Sequence, residues 1–218
     1  MNRPQRKLKR IFWIFCEGDT EFNYFNSLRK INNDIKIIPV NMEGGGYREY
    51  LKKIKKDSPQ NRVATFIVID CDRARNMADE KDALIKLIDH CKRQNQKSTS
   101  PYILILNNPD FEYIACLHDS KYKGGNTKQH IIKIFGFNGV DDFKSKSNIY
   151  EFLNKDKSRN YQVMLEKISQ NDKKFIQNQF KFDVAKVIIS VTISINWDEL
   201  YNNNSNIDEF FKVISLEW

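Results

Sequence analysis

"VATFIVIDCD", residues 63–72, is almost wholly apolar up to Ile69 and then meets two acids, Asp70 and Asp72. An unbroken apolar run of strand length reads as a strand covered on both faces, the kind that parallel sheets contain. "IFWIFC", residues 11–16, is a second such run and ends on Glu17-Gly18. Asp19 or Thr20 is positioned to cap the helix after it, in which Phe22, Phe25 and Leu28 fall at helical spacing. Residues 35–40 predict a short strand, placed at an edge by Pro39. A glycine-rich loop, residues 41–46, and a basic helix over 47–56 follow. Residues 77–94 predict an amphipathic helix, with Leu84, Leu87, Ile88 and Cys91 on one face and Lys86, Asp89, Lys92 and Arg93 on the other. Residues 102–106 predict a fourth strand, and Asn108-Pro109 the opening of a helix, cap first and proline second. Strands alternating with helices predict an α/β fold, a mostly parallel sheet flanked by helices.

The pattern changes near residue 120. The remaining chain is polar and rich in Lys and Asn, and predicts helices over 126–135, 147–154, 158–169, 173–181 and 207–214. "VIISVTISI", residues 187–195, reads as a strand or a buried helix segment. The expected organisation is an α/β core over 1–120 and a mainly helical extension over 121–218 packed on it. No internal repeat is evident.

The chain has 218 residues and a formal net charge of +8. That balance favours a polyanionic partner, because Lys and Arg release counterions from phosphates. Arg3, Arg6, Lys7, Lys9 and Arg10 form a basic arm with no acid among them. The apolar runs are strand-sized, so no membrane partner is expected, and the start lacks the cleavage pattern of a signal peptide. Cys16, Cys71, Cys91 and Cys116 are scattered in or beside apolar segments and fit buried thiols in a reducing cytoplasm. Serine hydrolase, zinc protease and zinc finger patterns are absent from the sequence.

The acids carry the functional reading. In an open parallel sheet, ligands bind at the carboxyl ends of the strands. There the sequence sets Glu17 after the first strand, Asp70 and Asp72 after the third, and Asp110 and Glu112 after the fourth. Clustered carboxylates repel one another unless a cation neutralises them. Oxygen donors without matching His or Cys favour Mg²⁺ or Mn²⁺. Each acid alone also fits a helix cap or a first-turn charge, Glu112 above all.

Three blocks go further. "CEGDTEFNYF" (16–25), "VIDCDRA" (68–74) and "NNPDFEYIACLH" (107–118) resemble the RloB-like family, small Toprim-domain proteins of bacterial restriction and phage-defence loci. Glu17, Gly18, Thr20, Glu21, Tyr24, Phe25, Asp70, Asp72, Pro109, Phe111, Glu112 and His118 match. Tyr113 stands where the family often has Trp, and Ala74 where many Toprim proteins have Gly. The resemblance implies a Toprim-like sheet and a metal-dependent nuclease cutting RNA or DNA. Asp70 and Asp72 would hold Mg²⁺, Glu17 would be a ligand or general acid/base, and Glu21 a further ligand or a solvated first-turn acid. Glu112 joins them as a catalytic carboxylate, and His118 as a phosphate contact or proton donor, its rival role being a helix-end cap. The defence role and a companion protein such as an ATPase are implied by the resemblance alone. A non-catalytic binding module, and nucleotidyl transfer as in Toprim primases, are the other classes.

Two loops are candidates for nucleic-acid contact. "HDSKYKGGN" (118–126) offers Lys121 and Lys123 beside two glycines, and "NMEGGGYREY" (41–50) offers Arg48 for phosphate and Tyr47 for base stacking. The glycine run lacks the G-K-[ST] ending of a P-loop. The oligomeric state is not legible in the sequence.

Overall fold

The structure is a computed structural model describing residues 10–30, 35–59, 61–171, 173–183 and 186–215. Arg3, Arg6, Lys7 and Lys9 lie outside the described residues. Four strands form a parallel array: β1 (Arg10–Cys16), β2 (Ile35–Asn41), β3 (Ala64–Asp70) and β4 (Tyr102–Asn108). Their order is β2-β1-β3-β4, closed on the β4 side by the two-residue antiparallel β7 (Asn204–Ser205). Among the described residues β2 pairs only with β1, as Pro39 predicts for an edge. Val68 lies opposite Cys16, and Asp70 opposite Asn107, so the carboxyl ends of β1, β3 and β4 are level. The chain leaves β1 for β2 on one side and returns to β3 on the other, which puts the switch point of the sheet between β1 and β3.

The connections are helical: α1 (Asp19–Leu28), α2 (Gly46–Lys56), α3 (Asp72–Asn76), α4 (Ala78–Asn95) and α5 (Phe111–Leu117). β3 and β4 are buried nearly throughout, which is why their sequences do not alternate. Phe12, Phe25, Phe66, Phe111 and Phe210 are fully buried among them. All four cysteines are free and buried. No helix among the described residues is long and apolar enough to cross a membrane.

Two expectations change at the level of single elements. Gly18, not Asp19 or Thr20, is the N-cap of α1. Its φ of −143° is ordinary extended backbone, and a Cβ there would meet nothing closer than 3.7 Å, so this turn does not require glycine. Asp110, not Asn108, caps α5, accepting the Tyr113 N–H at 2.9 Å. Asn108 is instead buried and donates to the Leu200 carbonyl at 2.7 Å.

The second half is less helical than its composition suggests. It holds α6 (Thr127–Lys133), α7 (Val140–Lys144), α8 (Ile149–Leu153), α9 (Tyr161–Ser169) and α10 (Asp208–Ile214). Residues 173–181, predicted helical, belong largely to β5 (Ile176–Asp183). Ile176, Asn178, Phe180 and Phe182 turn inward while Gln177, Gln179 and Lys181 stay exposed, a period of two that a helix cannot satisfy. β5 pairs antiparallel with β6 (Ile188–Ile195), which settles "VIISVTISI" as a strand. A short 3-10 helix, Trp197–Tyr201, leads to β7. Phe210 of α10 packs edge-on against Phe25 and Phe66, both ring centroids at 4.9 Å, tying this half to the central sheet.

Candidate functional site

At the carboxyl ends of β1, β3 and β4 lies an open cleft of about 560 Å³. Glu17, Glu21, Asp70, Asp72 and Glu112 line it, together with two further acids, Asp19 and Glu43, and with Gly18, Thr20, Asn41, Gly44, Arg73 and Lys144. Five of the sequence-predicted acids therefore meet in one place.

Glu17 ends β1 and crosses to β3, where its Oε2 accepts the Asp70 N–H at 2.9 Å. The contact joins the two strands at the switch point. Burial raises the Glu17 pKa, opposed by the Asp70 amide and by Arg73, whose Nε is 4.0 Å from Oε1. Glu21 lies one helical turn further on, buried, with Oε2 accepting the Gly18 N–H at 3.3 Å. Burial, with Glu112 and Glu17 nearby, pushes its pKa up to about 8 despite backbone N–H donors. Asp70 is raised well above the usual range by burial and by Glu21, Glu17, Glu112 and Asp110. Its backbone carbonyl accepts the Tyr47 O–H at 2.7 Å. Asp72 opens α3 in solvent, with Oδ1 on the Arg73 N–H at 2.6 Å. Glu112 is buried on the first turn of α5. It accepts the Thr20 hydroxyl at 2.9 Å and faces the Lys144 ammonium at 3.5 Å. Burial works against the Lys144 charge, but Glu112, Glu21 and Asp70 outweigh it and raise the lysine's pKa.

The turns that carry these groups are stitched together. The Cys71 N–H donates to the Asn107 and Pro109 carbonyls at 2.8 and 3.0 Å, and the Asp72 N–H to Pro109 at 3.1 Å. Buried Asn107 receives Ser205 Oγ at 3.0 Å and reaches Asp70 Oδ1 at 3.4 Å. Arg73 runs over Gly46, whose φ of +69° and virtual Cβ, 2.8 Å from Arg73 Nη1, make glycine necessary there.

Other expected site residues stand elsewhere. His118 is fully buried. Its Nδ1 lies 3.0 Å from the Ile114 carbonyl and its Nε2 3.1 Å from the Tyr24 hydroxyl. A carbonyl only accepts, so Nδ1 carries the proton and Nε2 accepts from Tyr24. Burial lowers its pKa to about 4 and keeps it neutral. It does not line the cleft, and its contacts are those of the helix-end role. Arg48 pairs with Asp79 at 3.3 Å in a separate groove between α2 and α4. Tyr47 is buried and holds the Asp70 turn, so it has no face for a base. Lys121 and Lys123 are exposed in the loop after α5, outside the cleft lining. Conversely, sequence reasoning missed Arg73 and Lys144. Arg73 directly follows Asp72 and was open to notice. Lys144 lies 32 positions beyond Glu112 in a Lys-rich region, and nothing local singles it out.

A family model described as "RloB-like protein" matches residues 12–210. The chain belongs to the RloB-like family. The match takes in the acidic cleft and also the segment carrying Lys144, β5, β6 and the start of α10. No curated protein matches the chain, and no solved structure does.

The donor set was weighed for a divalent cation. Every titratable acid in the cleft is a carboxylate, the oxygen donor that hard cations take. Burial first, and neighbouring carboxylates after it, raise the pKa values of Glu17, Glu21 and Asp70, a penalty on the charged forms that a bound cation would relieve. In placement, Glu17 and Glu21 are turned onto backbone amides, and among the described residues no three acids, His or Cys form a ready ligand group. The chemistry fits a hard cation; the ligating rotamers are not the ones present.

Proposed function

We propose that this RloB-like protein is a Mg²⁺- or Mn²⁺-dependent nuclease of the Toprim kind, hydrolysing phosphodiester bonds in RNA or DNA. The observation that carries the proposal is the convergence of Glu17, Glu21, Asp70, Asp72 and Glu112 on one cleft at the switch point of a parallel sheet. Asp70, Asp72 and Glu21 are the residues that would hold the cation, with Glu17 either a further ligand or the general base. When bound, the cation supplies charge neutralisation at phosphoryl oxygens and acidifies water.

The chain's own groups divide the remaining work. The Asp70 amide holds Glu17 at the end of β1, where its raised pKa suits it to take a proton from an attacking water. The Thr20 hydroxyl holds Glu112, so that the carboxylate keeps its direction. Membership of the family supports a role as a cytoplasmic effector in antiphage defence, working beside a companion protein such as an ATPase. A second reading, a non-catalytic module that binds nucleic acid or a partner, is favoured by one observation: Glu17 and Glu21 are both occupied by backbone amides.

The test incubates end-labelled RNA and DNA with the protein in Mg²⁺, Mn²⁺ or EDTA, beside Asp70→Ala and Glu17→Gln. Cleavage should need the cation and fall about 100-fold or more in either variant. Undiminished cleavage by Asp70→Ala overturns the site. Salt-sensitive binding without cleavage selects the module.

A further inference from the structure

The cleft contains a contradiction for any polyanionic substrate. Seven carboxylates line it, Asp19 and Glu43 included, yet a nucleic acid must bring phosphates into it. Among the described residues, only two cations line the same cleft, Arg73 and Lys144. They come from different parts of the chain. Arg73 is the second residue of α3, beside Glu17, and its side chain is 38 % exposed. Lys144 is the last residue of α7, beside Glu112, and is 44 % exposed. Each therefore has one contact in the acid cluster and a free solvent-facing side.

Neither cation is held as a structural ion pair would be. Arg73 Nε is 4.0 Å from Glu17 and Lys144 Nζ is 3.5 Å from Glu112, both longer than a charge-assisted hydrogen bond. Their acid partners do not depend on them, since Glu17 has the Asp70 amide and Glu112 has the Thr20 hydroxyl. Their backbones, by contrast, are fixed. The Lys144 carbonyl accepts Asn23 Nδ2 of α1 at 2.8 Å, which pins α7 to the helix that carries Glu21. The Arg73 carbonyl accepts the Met77 N–H at 2.9 Å and its N–H donates to Asp72 Oδ1 at 2.6 Å, while the side chain passes over Gly46. Fixed stems with loosely paired heads are what a phosphate ligand needs, because moving the head to a new anion costs little.

We propose that Arg73 and Lys144 form a two-sided phosphate clamp, through which the extension contributes a substrate-binding residue to the acidic cleft. The proposal rests on the nucleic-acid reading of the cleft and assigns the polar second half a part in it: without α7 the cleft keeps its acids and loses one of its two cations. Sugar-phosphate backbone, rather than base, is the chemistry the clamp recognises, so RNA and DNA single strands are both ligands.

The experiment measures binding of fluorescent 12-nucleotide single-stranded RNA and DNA by anisotropy in EDTA, across a salt series, so that neither cleavage nor a divalent cation contributes. Lys144→Met and Arg73→Met should each weaken binding about tenfold at low salt. Each should reduce the slope of log Kd against log salt by about 0.7, the loss of one single-strand phosphate contact. Lys144→Arg should restore both quantities, which a merely structural role would not require. Lys97→Met, an exposed lysine at the opposite edge of the sheet, should leave both unchanged. Thermal melts confirm folding, and Lys144→Gln replaces Lys144→Met if the latter does not fold. Unchanged affinity and slope in the neutral Lys144 and Arg73 variants, or no binding by the wild type, overturn the clamp. The two readings fail separately: reduced slopes without any cleavage in Mg²⁺ keep the clamp and reject the nuclease. Metal-dependent cleavage with unchanged slopes keeps the nuclease and rejects the clamp.

Discussion

Replacing Glu21 with glutamine should stabilise the protein at neutral pH, although it removes a residue of the candidate site. Glu21 is 3 % exposed, and burial among Glu112 and Glu17 pushes its pKa from the ordinary 4.5 up to about 8. At pH 7 the unfolded chain has released this proton and the folded protein still holds it. Folding must therefore take up a proton across about 2.5 pH units, at about 1.4 kcal/mol each, a cost on the order of 3 kcal/mol. Glutamine carries no such cost, and its Oε1 can accept the Gly18 N–H that Glu21 accepts now. The sign follows from the direction of the shift. A folded-state pKa above the unfolded one means the folded protein binds more protons, so wild-type stability falls as pH rises from about 4.5 to about 8. Asp110, raised by burial to about 6, and Glu209, raised by burial to about 7, act in the same direction. They are common to both proteins, so the difference reports Glu21 together with the part of the Asp70 shift that Glu21 causes. Urea unfolding of both proteins in EDTA at pH 4.5, 6, 7 and 8 should show a Glu21→Gln advantage near zero at the lowest pH, growing to about 2–3 kcal/mol at pH 7. A difference that does not change with pH, or a variant less stable at pH 7, refutes the reasoning. If Glu21 ligates a cation, added Mg²⁺ should raise the wild-type midpoint more than the variant's.

Other substitutions separate structural from chemical roles. His118→Phe leaves the Ile114 carbonyl and the Tyr24 hydroxyl without their partner, and should cost about 1–3 kcal/mol in urea while leaving the pH profile of cleavage unchanged. A lost basic or acidic limb at unchanged stability would return His118 to the chemistry. Asn206→Ala should be among the most damaging changes outside the cleft, at about 3 kcal/mol or more by urea unfolding. The Asn206 amide takes the Leu106 N–H at 2.9 Å, gives to the Leu104 carbonyl at 2.8 Å and reaches Glu209 at 2.8 Å, completing the β4 edge where β7 stops. Gly46→Ala should lower the Tm and displace Arg73, whereas Gly18→Ala should change stability by less than about 1 kcal/mol. Equal effects of the two would contradict the backbone conformations described.

The sequence alone determined the layer architecture and most of the acids. Apolar runs at 11–16, 63–69 and 102–106 have no polar face to offer water, so they had to become strands covered on both sides, and helices at those intervals force a parallel sheet. Acids that end such runs necessarily sit at the carboxyl edge, and for this reason Glu17, Asp70, Asp72 and Glu112 could be brought together before any coordinates. Other features depended on contacts between distant residues. The alternation of β5 is carried by Gln, Asn and Lys among only a few apolar side chains, and Asn178 is buried with its Nδ2 donating to the Leu104 carbonyl and to Glu209, partners that lie far away in the chain. His118 looked chemical in one dimension and is an enclosed partner of Tyr24 in three. Lys144 is one lysine among many until Asn23 pins α7 against α1 and sets its ammonium beside Glu112. Patterning reports which face of an element is buried, because burial acts on each residue's own hydrophobicity. It is silent on which distant charge arrives at a site, because that is decided by the packing of whole elements.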